Sequence, residues 1–435
     1  MTSLMGIIAD DFTGANDSGV QLIKQGMNTT VIFDLSQKIK RLDPGIVIDI
    51  DSRGKSGEEA ESLTKEATQL LIDSGYKIIY KKMDSMLRGH LGRELVAIDH
   101  ILQPEFVLIA PAFPANDRKT INGIHYVNGI EVSKTEASKD RQHPVVESSI
   151  IKLLETQTNK RIGHLTLADI RGNCDNDFTK KIQFFRSNHI TYLVCDGETE
   201  ADLRLLVKKM SSITNNILWA GSAGLAEAVS ENIVAKDQTK NYIPPKQMRT
   251  LSVCGSLSSV TKQQVNYGLK QSNVFGLQVN TVKMLTKDWA TYQHKCKEKC
   301  LQALSDGKDI ILHVSSDEKV QSDVEKIRQQ KQWSINETGH IIASRLAELA
   351  SKIITKDELL TGLILTGGET AKYTATELGG TGFNLIKEIE PGIPLGSFTV
   401  ADRTFYAVTK AGAMGKQDSI YNAMKQLKGV NHENE

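Results

Sequence analysis

The chain has 435 residues, of which 40% are hydrophobic, 24% charged and 6% aromatic, and its formal net charge at pH 7 is +1. This balance excludes a largely disordered protein and favours two domains, each large enough to bury its own core. The near-neutral charge and the low aromatic content argue against nucleic acid and anionic membranes as partners.

Localisation follows from three negative features. The first residues lack the basic segment and the long apolar run of a signal peptide. No stretch approaches the roughly 20 apolar residues that a membrane span requires. The five cysteines are scattered, as is typical of reduced thiols. We therefore expect a cytoplasmic protein.

Short apolar runs alternate with longer amphipathic stretches along the first half of the chain. Helices are predicted at EEAESLTKEATQLLIDSG and LGRELVAIDHILQ, whose apolar residues recur at helical spacing. Strands are predicted at MGIIAD, TTVIFD, GIVIDI, YKIIYKKM, EFVLIAPAF, ITYLVCD and NNILWAG. The alternation indicates βα units around a mostly parallel sheet that is covered by helices on both faces.

A polar segment at residues 235–249 interrupts this pattern and contains Pro244-Pro245, which cannot continue a helix. We therefore predict domains at 1–238 and 249–435, joined by a linker at 239–248. The second half again alternates strands (TLSVCGS, DIILHVSS, GLILTGG, YAVTKAGAMG) with a long helix over Ile335–Ile354. The fold class is thus α/β, with two domains that each hold a mostly parallel sheet flanked by helices.

Two carboxylates, Asp10 and Asp11, end the first predicted strand, just before a glycine-containing turn into a helix. Ligands of open α/β sheets bind beyond the carboxyl ends of the strands. A carboxylate at that place can accept a hydroxyl proton or bind a metal. The alternative is that Asp11 or Thr13 only caps the helix that follows.

Charged and hydroxyl side chains also follow two further strands. Lys82, Asp84, Ser85 and Arg88 lie between YKIIY and the next helix, and Arg53 follows GIVIDI. A small substrate with a carboxylate and several hydroxyls needs such a set, with a cation for the acid and short polar groups for the hydroxyls. The alternative is a solvated loop with surface ion pairs of little energetic weight.

In the second half, Gly367 and Gly368 stand between a buried strand and a helix. Glycines let backbone N–H groups approach an anion, and the helix N-terminus favours negative charge, so a nucleotide phosphate fits here. Similar turns occur at Ser256 and Gly412, although tight βα turns use glycine in any case. The P-loop, the dinucleotide fingerprint and the protein-kinase motifs are all missing.

These segments resemble those of the four-carbon acid sugar kinases, in the same order and along essentially the whole chain. The resemblance is carried by IADDFTGANDSGVQLIKQG, YKKMDSMLRGHLG, WAGSAGLAEA, VCGSLSSVT, LTGGETA and VTKAGAMG. It implies an N-terminal domain that binds the sugar acid, a C-terminal domain that binds ATP, and an active site in the cleft between them.

The resemblance also implies the contact residues. It assigns to the sugar acid Asp11, Arg53, Lys82, Met83, Asp84 and Ser85, and to ATP Ser256, Gly367, Gly368, Glu369, Thr370 and Gly412. The base or metal partner is expected to be Asp10 or Asp11, with Asp84 as a further candidate. The substrate carboxylate is expected on Arg53, Lys82 or Arg88. Mg²⁺ is expected on the nucleotide, with no assigned protein ligands.

The implied reaction is transfer of the ATP γ-phosphoryl group to the 4-hydroxyl of D-threonate, because the ANDSGVQ segment is most similar to the threonate branch. Phosphorylation of 3-oxo-tetronate or D-erythronate is the alternative within the family. A non-catalytic sugar-acid sensor and a nicotinamide-dependent dehydrogenase are alternatives of other classes. Oligomeric state is left open, and a homo-oligomer is compatible with the sequence.

Overall fold

A computed structural model describes residues 4–35, 43–140, 143–172, 174–233, 242–315 and 317–430. The chain divides into two compact units, Met1–Thr239 and Lys240–Glu435. The predicted boundary at residue 238 and the first residues of the predicted linker 239–248 fall on residues 234–241, outside the described residues.

The first unit alternates strands and helices, as its sequence predicts. Its strands are β1 (Met5–Ala9), β2 (Thr29–Ile32), β3 (Gly45–Asp49), β4 (Ile78–Lys82), β5 (Phe106–Ala110), β6 (Arg118–Ile121), β7 (Ile124–Val127), β8 (Ile130–Glu131), β9 (Ile162–Leu165), β10 (Tyr192–Cys195) and β11 (Ile217–Gly221). Its helices are α1 (Phe12–Lys24), α2 (Gly57–Asp73), α3 (Leu91–Leu102), α4 (Ile150–Gln157), α5 (Leu167–Arg171), α6 (Asp175–Ser187), α7 (Glu200–Ser211) and α8 (Ala223–Ile233).

The main sheet of the first unit is parallel at every described pairing and has the order β2-β3-β1-β4-β11-β5-β10-β9. Strands β1, β3 and β5 are buried along their whole length. Burial on both faces explains why their sequences are continuous apolar runs rather than alternating ones. One hydrophobic core joins strand residues such as Ile8 and Ile109 to helix residues such as Leu71 and Leu95.

A small antiparallel sheet, β6-β7-β8, follows β5 and was not predicted from the sequence. Two-residue turns at Asn122-Gly123 and Asn128-Gly129 connect its strands, and all four turn residues have positive φ. Asn-Gly is the residue pair that such type I′ hairpin turns prefer, so the sequence carried the signal.

The second unit has the strands β12 (Arg249–Cys254), β13 (Val274–Val279), β14 (Asp309–Val314), β15 (Leu360–Thr366), β16 (Gly382–Glu390), β17 (Ile393–Val400) and β18 (Arg403–Lys410). Its helices are α9 (Ser259–Gly268), α10 (Thr281–Met284), α11 (Trp289–Ser305), α12 (Glu318–Lys331), α13 (Ile335–Ile354), α14 (Gly368–Glu377) and α15 (Ser419–Leu427). The bounds of α13 match the predicted helix.

Strands of the second unit have the order β13-β14-β12-β15-β18-β17-β16, parallel from β13 to β18 and antiparallel at the last two pairings. The predicted α/β class with a mostly parallel sheet in each half is therefore confirmed. In the described part of the chain, no helix is long and apolar enough to cross a membrane.

Candidate active site

Three strand ends meet at one edge of the first sheet. Strand β1 lies between β3 and β4, and Ala9 is level with Asp49 on one side and with Lys82 on the other. The chain leaves β1 towards β2 and leaves β4 towards β5, on opposite sides of this pair. Ligands in open α/β sheets bind at such a switch point, so the polar residues after β1, β3 and β4 share a candidate ligand site.

Asp11 caps the helix that follows β1 and also contacts Arg53. It is the N-cap of α1, where its Oδ1 accepts a hydrogen bond of 2.8 Å from the Gly14 amide. Its Oδ2 accepts a hydrogen bond of 2.8 Å from Nη1 of Arg53. The side chain keeps 28% of its surface exposed, which leaves this carboxylate accessible to a ligand.

Arg53 joins the ends of the three strands. Its Nε and Nη2 each lie 2.9 Å from Oδ2 of Asp10, and its Nη2 lies 3.9 Å from Oδ1 of Asp84. Burial alone would raise the pKa of the Asp10 carboxyl, but Arg53 and two lysines outweigh burial and hold that pKa below its ordinary value. Asp10 is therefore an ionised carboxylate at neutral pH.

The loop after β4 completes this arrangement. Asp84 accepts hydrogen bonds from Nε and Nη2 of Arg88 at 2.6 and 3.2 Å. Burial opposes ionisation, but Arg53 and Arg88 outweigh it and keep the pKa of Asp84 below its ordinary value. The loop turns through Leu87 and Gly89, both at positive φ, and a Cβ on Gly89 would lie 3.6 Å from Oδ2 of Asp10. We call Asp10, Asp11, Arg53, Asp84 and Arg88 the acid–arginine cluster.

Other predicted residues of this loop contribute in different ways. The Lys82 Nζ donates to the Met83 carbonyl at 2.8 Å and would lie 3.1 Å from a Cβ on Gly14, close to the start of α1. The Met83 side chain is buried in the hydrophobic core, so this residue offers the site only its backbone. Ser85 accepts a hydrogen bond through its carbonyl oxygen from Nε2 of His125 at 2.9 Å.

The second unit repeats this topology with different chemistry. Cys254 at the end of β12 is level with Thr366 of β15, which is level with Lys410 of β18. The chain leaves β12 towards β13 and leaves β15 towards the other side of the sheet, so β12 and β15 form a second switch point. The glycine turns predicted in three separate segments therefore begin at one edge.

The turns approach one another so closely that side chains are excluded. A Cβ on Gly412 would lie 2.0 Å from the Ser256 hydroxyl, and a Cβ on Gly255 would lie 2.1 Å from the Thr370 hydroxyl. Ser258 donates a hydrogen bond of 2.6 Å to the Gly412 carbonyl. We call Gly255, Ser256, Gly367, Thr370 and Gly412 the glycine–hydroxyl cradle.

The start of α14 faces this cradle. Its N-cap is Gly367, at a φ of 101°, and no side chain caps the helix there. The backbone N–H groups of the first turn, which includes Gly368, are thus left for a ligand such as a phosphate. Glu369 lies outside the cradle, because its carboxylate is 3.4 Å from Nδ1 of His340 on α13.

Lys410 and a neighbouring cavity were not predicted. Lys410 is buried beside the cradle, with its Nζ 3.5 Å from the Gly412 carbonyl, and burial lowers its pKa to about 8. A cavity of about 270 Å³ opens next to the cradle at the ends of β12, β13 and β14, and residues lining it include Leu257, Gln278 and His313. A buried cation and an adjoining cavity are suitable for a ligand larger than a phosphate ion.

Metal binding can be judged from the donor set. Among the residues that the structure describes, no group of three His, Cys, Asp or Glu side chains is arranged to hold a metal ion. Mg²⁺ commonly binds through substrate phosphates and one or two carboxylates, so it does not require a preformed cage of protein ligands. The residues present thus fit a cation that arrives with the nucleotide.

Comparison with known proteins assigns the two units to two kinds of domain. A family model described as a sugar-binding N-terminal domain matches residues 5–229, and one described as a nucleotide-binding C-terminal domain matches residues 251–420. The chain is thus a two-domain α/β protein whose first half matches a sugar-binding family and whose second half matches a nucleotide-binding family.

Individual relatives extend this comparison. A D-threonate kinase of Salmonella typhimurium is 29% identical, with 97% of each chain covered. A 3-oxo-tetronate kinase of Haemophilus influenzae is 27% identical, with 95% of this chain and 98% of that enzyme covered. The chain belongs to the four-carbon acid sugar kinase family.

Solved structures share the fold. A Haemophilus influenzae protein has a TM-score of 0.77 at 24% identity, with 97% of this chain and 100% of that chain covered. A Salmonella typhimurium protein has a TM-score of 0.81 at 23% identity, with 97% and 99% covered. The likeness thus extends over both halves of the chain.

Proposed function

We propose that this protein transfers the γ-phosphoryl group of ATP to the 4-hydroxyl of a four-carbon sugar acid, with D-threonate as the substrate. The observation that carries the proposal is the pairing of two switch-point sites of complementary chemistry in one chain. One site offers carboxylates and cations to a hydroxylated acid. The other offers backbone N–H groups, hydroxyls and glycines to a phosphate chain.

Within the first site, Asp11 is our candidate for the group that orients the 4-hydroxyl and accepts its proton. The side chains of Asp10 and Asp84 are only 2% and 9% exposed, whereas that of Asp11 is 28% exposed. Arg53 and the Gly14 amide fix its two oxygens. Phosphoryl transfer through a loose transition state needs accurate positioning more than a strong base, which suits a carboxylate held in this way.

Lys82 is our candidate for charge neutralisation at the reacting end of the sugar acid. Its ammonium group lies near Gly14, at the start of the helix that Asp11 caps. Negative charge on the transferred phosphoryl group is stabilised by cations placed in advance. A lysine is suited to this task as a compact point charge.

In the second site, the glycine–hydroxyl cradle and the start of α14 are our candidates for the ATP phosphates. Gly412 and Gly367 allow a phosphate to approach the backbone, and Ser256 and Thr370 add hydroxyl donors. Mg²⁺ bound with the nucleotide would neutralise phosphate charge. In-line transfer further requires the γ-phosphate and the 4-hydroxyl to come within bonding distance.

D-threonate is proposed because of the similarity to a D-threonate kinase at 29% identity. A 3-oxo-tetronate kinase is almost as similar, at 27% identity, so the substrate needs a direct test. The test is a screen of D-threonate, D-erythronate and 3-oxo-tetronates with ATP and Mg²⁺, scored by ADP release and by the mass of the product. We expect the highest kcat/KM with D-threonate. Preference for a 3-oxo-tetronate would change the substrate and leave the reaction type unchanged.

Binding measurements with the same acids, with ATP and with NADH test the alternatives from other classes. A sugar-acid sensor would bind a four-carbon acid without releasing ADP, and a dehydrogenase would bind NADH in place of ATP. Either result would overturn the kinase proposal. We also propose that the protein works in the cytoplasm, where ATP is the common phosphate donor and its free cysteines would stay reduced.

A further inference from the structure

Two of the cations expected to hold the substrate carboxylate are already engaged by the protein itself. Arg53 and Arg88 lie in ion pairs with the carboxylates of Asp10, Asp11, Asp84 and Asp140. A substrate carboxylate could bind them strongly only by displacing these partners and leaving buried acids uncompensated. The question is therefore which cation near the cluster still has donors to offer.

Arg118 occupies a position at the ligand-binding edge of the same sheet. It begins β6, just after a 3₁₀ turn at Pro114–Asn116 that follows the carboxyl end of β5. Its backbone pairs with Phe113 through hydrogen bonds of 2.8 and 3.1 Å. These bonds fold the chain back at the strand end and keep Arg118 on the side of the sheet where β4 and β5 end.

The Arg118 guanidinium is partly buried and unsaturated. Its Nη1 donates to the Asn116 carbonyl at 3.1 Å, while its Nε is buried without a hydrogen-bond partner. Within the described ranges, no carboxylate lies at ion-pair distance from it. Burial lowers the pKa of Arg118, while Coulomb attraction to the carboxylates of Asp84 and Asp17 acts in the opposite direction. The Arg118 guanidinium thus interacts electrostatically with Asp84 of the acid–arginine cluster.

A histidine on the adjacent strand connects β6, the strand of Arg118, to the loop that follows β4. His125 on β7 faces Thr120 on β6 and bonds to the Ser85 carbonyl and the Thr120 hydroxyl at 2.9 and 3.0 Å. A carbonyl only accepts, so Nε2 carries the proton and Nδ1 accepts from the hydroxyl. The strand that begins at Arg118 is therefore fixed beside the loop that follows β4.

We propose that Arg118 binds the carboxylate of the sugar acid, a role that rests on the proposed function. Its planar guanidinium presents parallel donors that match the two oxygens of a carboxylate. Lys82 also lacks an ion-paired carboxylate among the described residues, but its ammonium lies near Gly14 and Asp11, at the reacting end of the substrate. The acid would thus be held with its carboxylate at Arg118 and its 4-hydroxyl at Asp11.

The test compares an acid with a neutral analogue. KM and kcat are measured for D-threonate, and dissociation constants are measured for D-threonate and for threitol, which keeps the hydroxyls but lacks the carboxylate. Arg118→Gln should raise KM and the dissociation constant for D-threonate by about 10- to 100-fold, with threitol affinity unchanged. Arg118→Lys should recover part of the loss because it restores the charge without the fork.

Lys119→Gln is the matched control, because Lys119 is the next residue on β6 and pairs instead with Glu198 at 3.6 Å. It should leave both ligands unaffected. A structural role for Arg118 would weaken D-threonate and threitol alike and would not be rescued by lysine, which would overturn the inference. If the wild type is active and Arg118→Gln has an unchanged KM, the carboxylate-binding role of Arg118 is refuted and the proposed function stands. If the wild type phosphorylates no four-carbon acid, the proposed function itself is refuted.

Discussion

The acid–arginine cluster and the glycine–hydroxyl cradle each follow the switch point of a mostly parallel sheet, yet they consist of different chemical groups. The first is made of charged side chains that neutralise one another, with Arg53 at its centre. The second is made of backbone, hydroxyls and glycines, with Gly412 packed against Ser256. The switch point thus sets where a ligand binds, while the residues after each strand set which ligand it is.

The contrast agrees with the ligands that we propose for the two sites. A sugar acid offers a carboxylate and several hydroxyls, and only side chains of defined charge and geometry can distinguish them. A triphosphate offers many equivalent oxygens, and backbone N–H groups can reach them where no Cβ intervenes. The four predictions that follow are ordered from the largest expected effect to the smallest. Two of them ask whether a change in one site leaves the other unaffected, and two measure how charged and titratable groups of the first unit stabilise it.

The largest effect is expected from Asp11→Asn. Asparagine is as good an N-cap as aspartate, so α1 should keep its start while the negative charge is lost. We expect kcat to fall by roughly 10²- to 10⁴-fold with ATP affinity unchanged, in single-turnover and binding measurements. Asp73→Asn, at the exposed end of α2, is the control. Normal turnover in the Asp11 variant would transfer the catalytic role to Asp10 or Asp84.

Arg53→Ala should affect folding as well as substrate use. Removing one partner from a buried ion pair typically costs about 3–5 kcal/mol in unfolding free energy. The lowered pKa of Asp10 means that its pairing stabilises the fold above the ordinary carboxyl pKa of 3.8 and that this contribution is lost as pH falls. The stability difference between wild type and variant should therefore be constant down to about pH 4 and shrink as pH is lowered below 3.8.

Urea unfolding at pH 7.5 and at pH 3 would measure this difference. Arg186→Ala is the matched control, because Arg186 forms an exposed ion pair with Glu105. Such pairs contribute about 0–1 kcal/mol. If Arg53→Ala and Arg186→Ala lose equal amounts of unfolding free energy at pH 7.5, Arg53 is not needed for the stability of the acid–arginine cluster.

His125 tests the anchoring of the small antiparallel sheet. Burial lowers its pKa from 6.5 to about 4, so the folded protein holds it neutral while the unfolded chain takes up a proton. Its contribution to stability is complete above pH 6.5 and falls by about 3 kcal/mol as pH drops to 4. The stability difference between wild type and His125→Gln should shrink over this window. If the stabilities of wild type and His125→Gln change with pH in parallel, His125 is not held neutral by burial. His294→Gln, at an exposed histidine, is the control.

Gly412→Ala should act on the cradle alone. The added methyl group would lie 2.0 Å from the Ser256 hydroxyl, so the two turns must separate. Forced overpacking of this kind costs about 1–3 kcal/mol, which corresponds to roughly 10- to 100-fold weaker ATP binding. Gly339→Ala on α13 is the control, because nothing lies within 4 Å of its added Cβ. Weakened sugar-acid binding in Gly412→Ala would argue against a separate nucleotide site.

Much of the fold could be predicted because buried parallel strands are continuous apolar runs. Helix α13 has the predicted bounds, β1 and β3 end before their polar segments, and β4 continues to Lys82, the first residue of its polar set. Strand order is not written in local sequence, so the pairing of Arg53 with Asp10 and Asp11 could not be foreseen. The sequence suggests separate ligand contacts, whereas the structure brings Arg53, Asp10 and Asp11 together as a cluster of paired charges.

The small antiparallel sheet was missed for a different reason. Its Asn-Gly turns are a local signal, but its short strands follow a proline-containing turn and lack the long apolar runs of the main sheet. Arg118 and His125 both lie on this sheet. The interpretation of the site therefore left out a cation with spare donors and the histidine that holds its strand in place.

The most direct test of the division of labour is amide hydrogen exchange on the unmodified protein, with D-threonate and a non-hydrolysable ATP analogue added separately. We predict that the sugar acid slows exchange in the loop after β4, at residues 83–90, and leaves the cradle unaffected. The ATP analogue should slow exchange at residues 255–258, 367–371 and 411–413. Protection of residues 83–90 by the nucleotide alone, with residues 367–371 unaffected, would contradict the account.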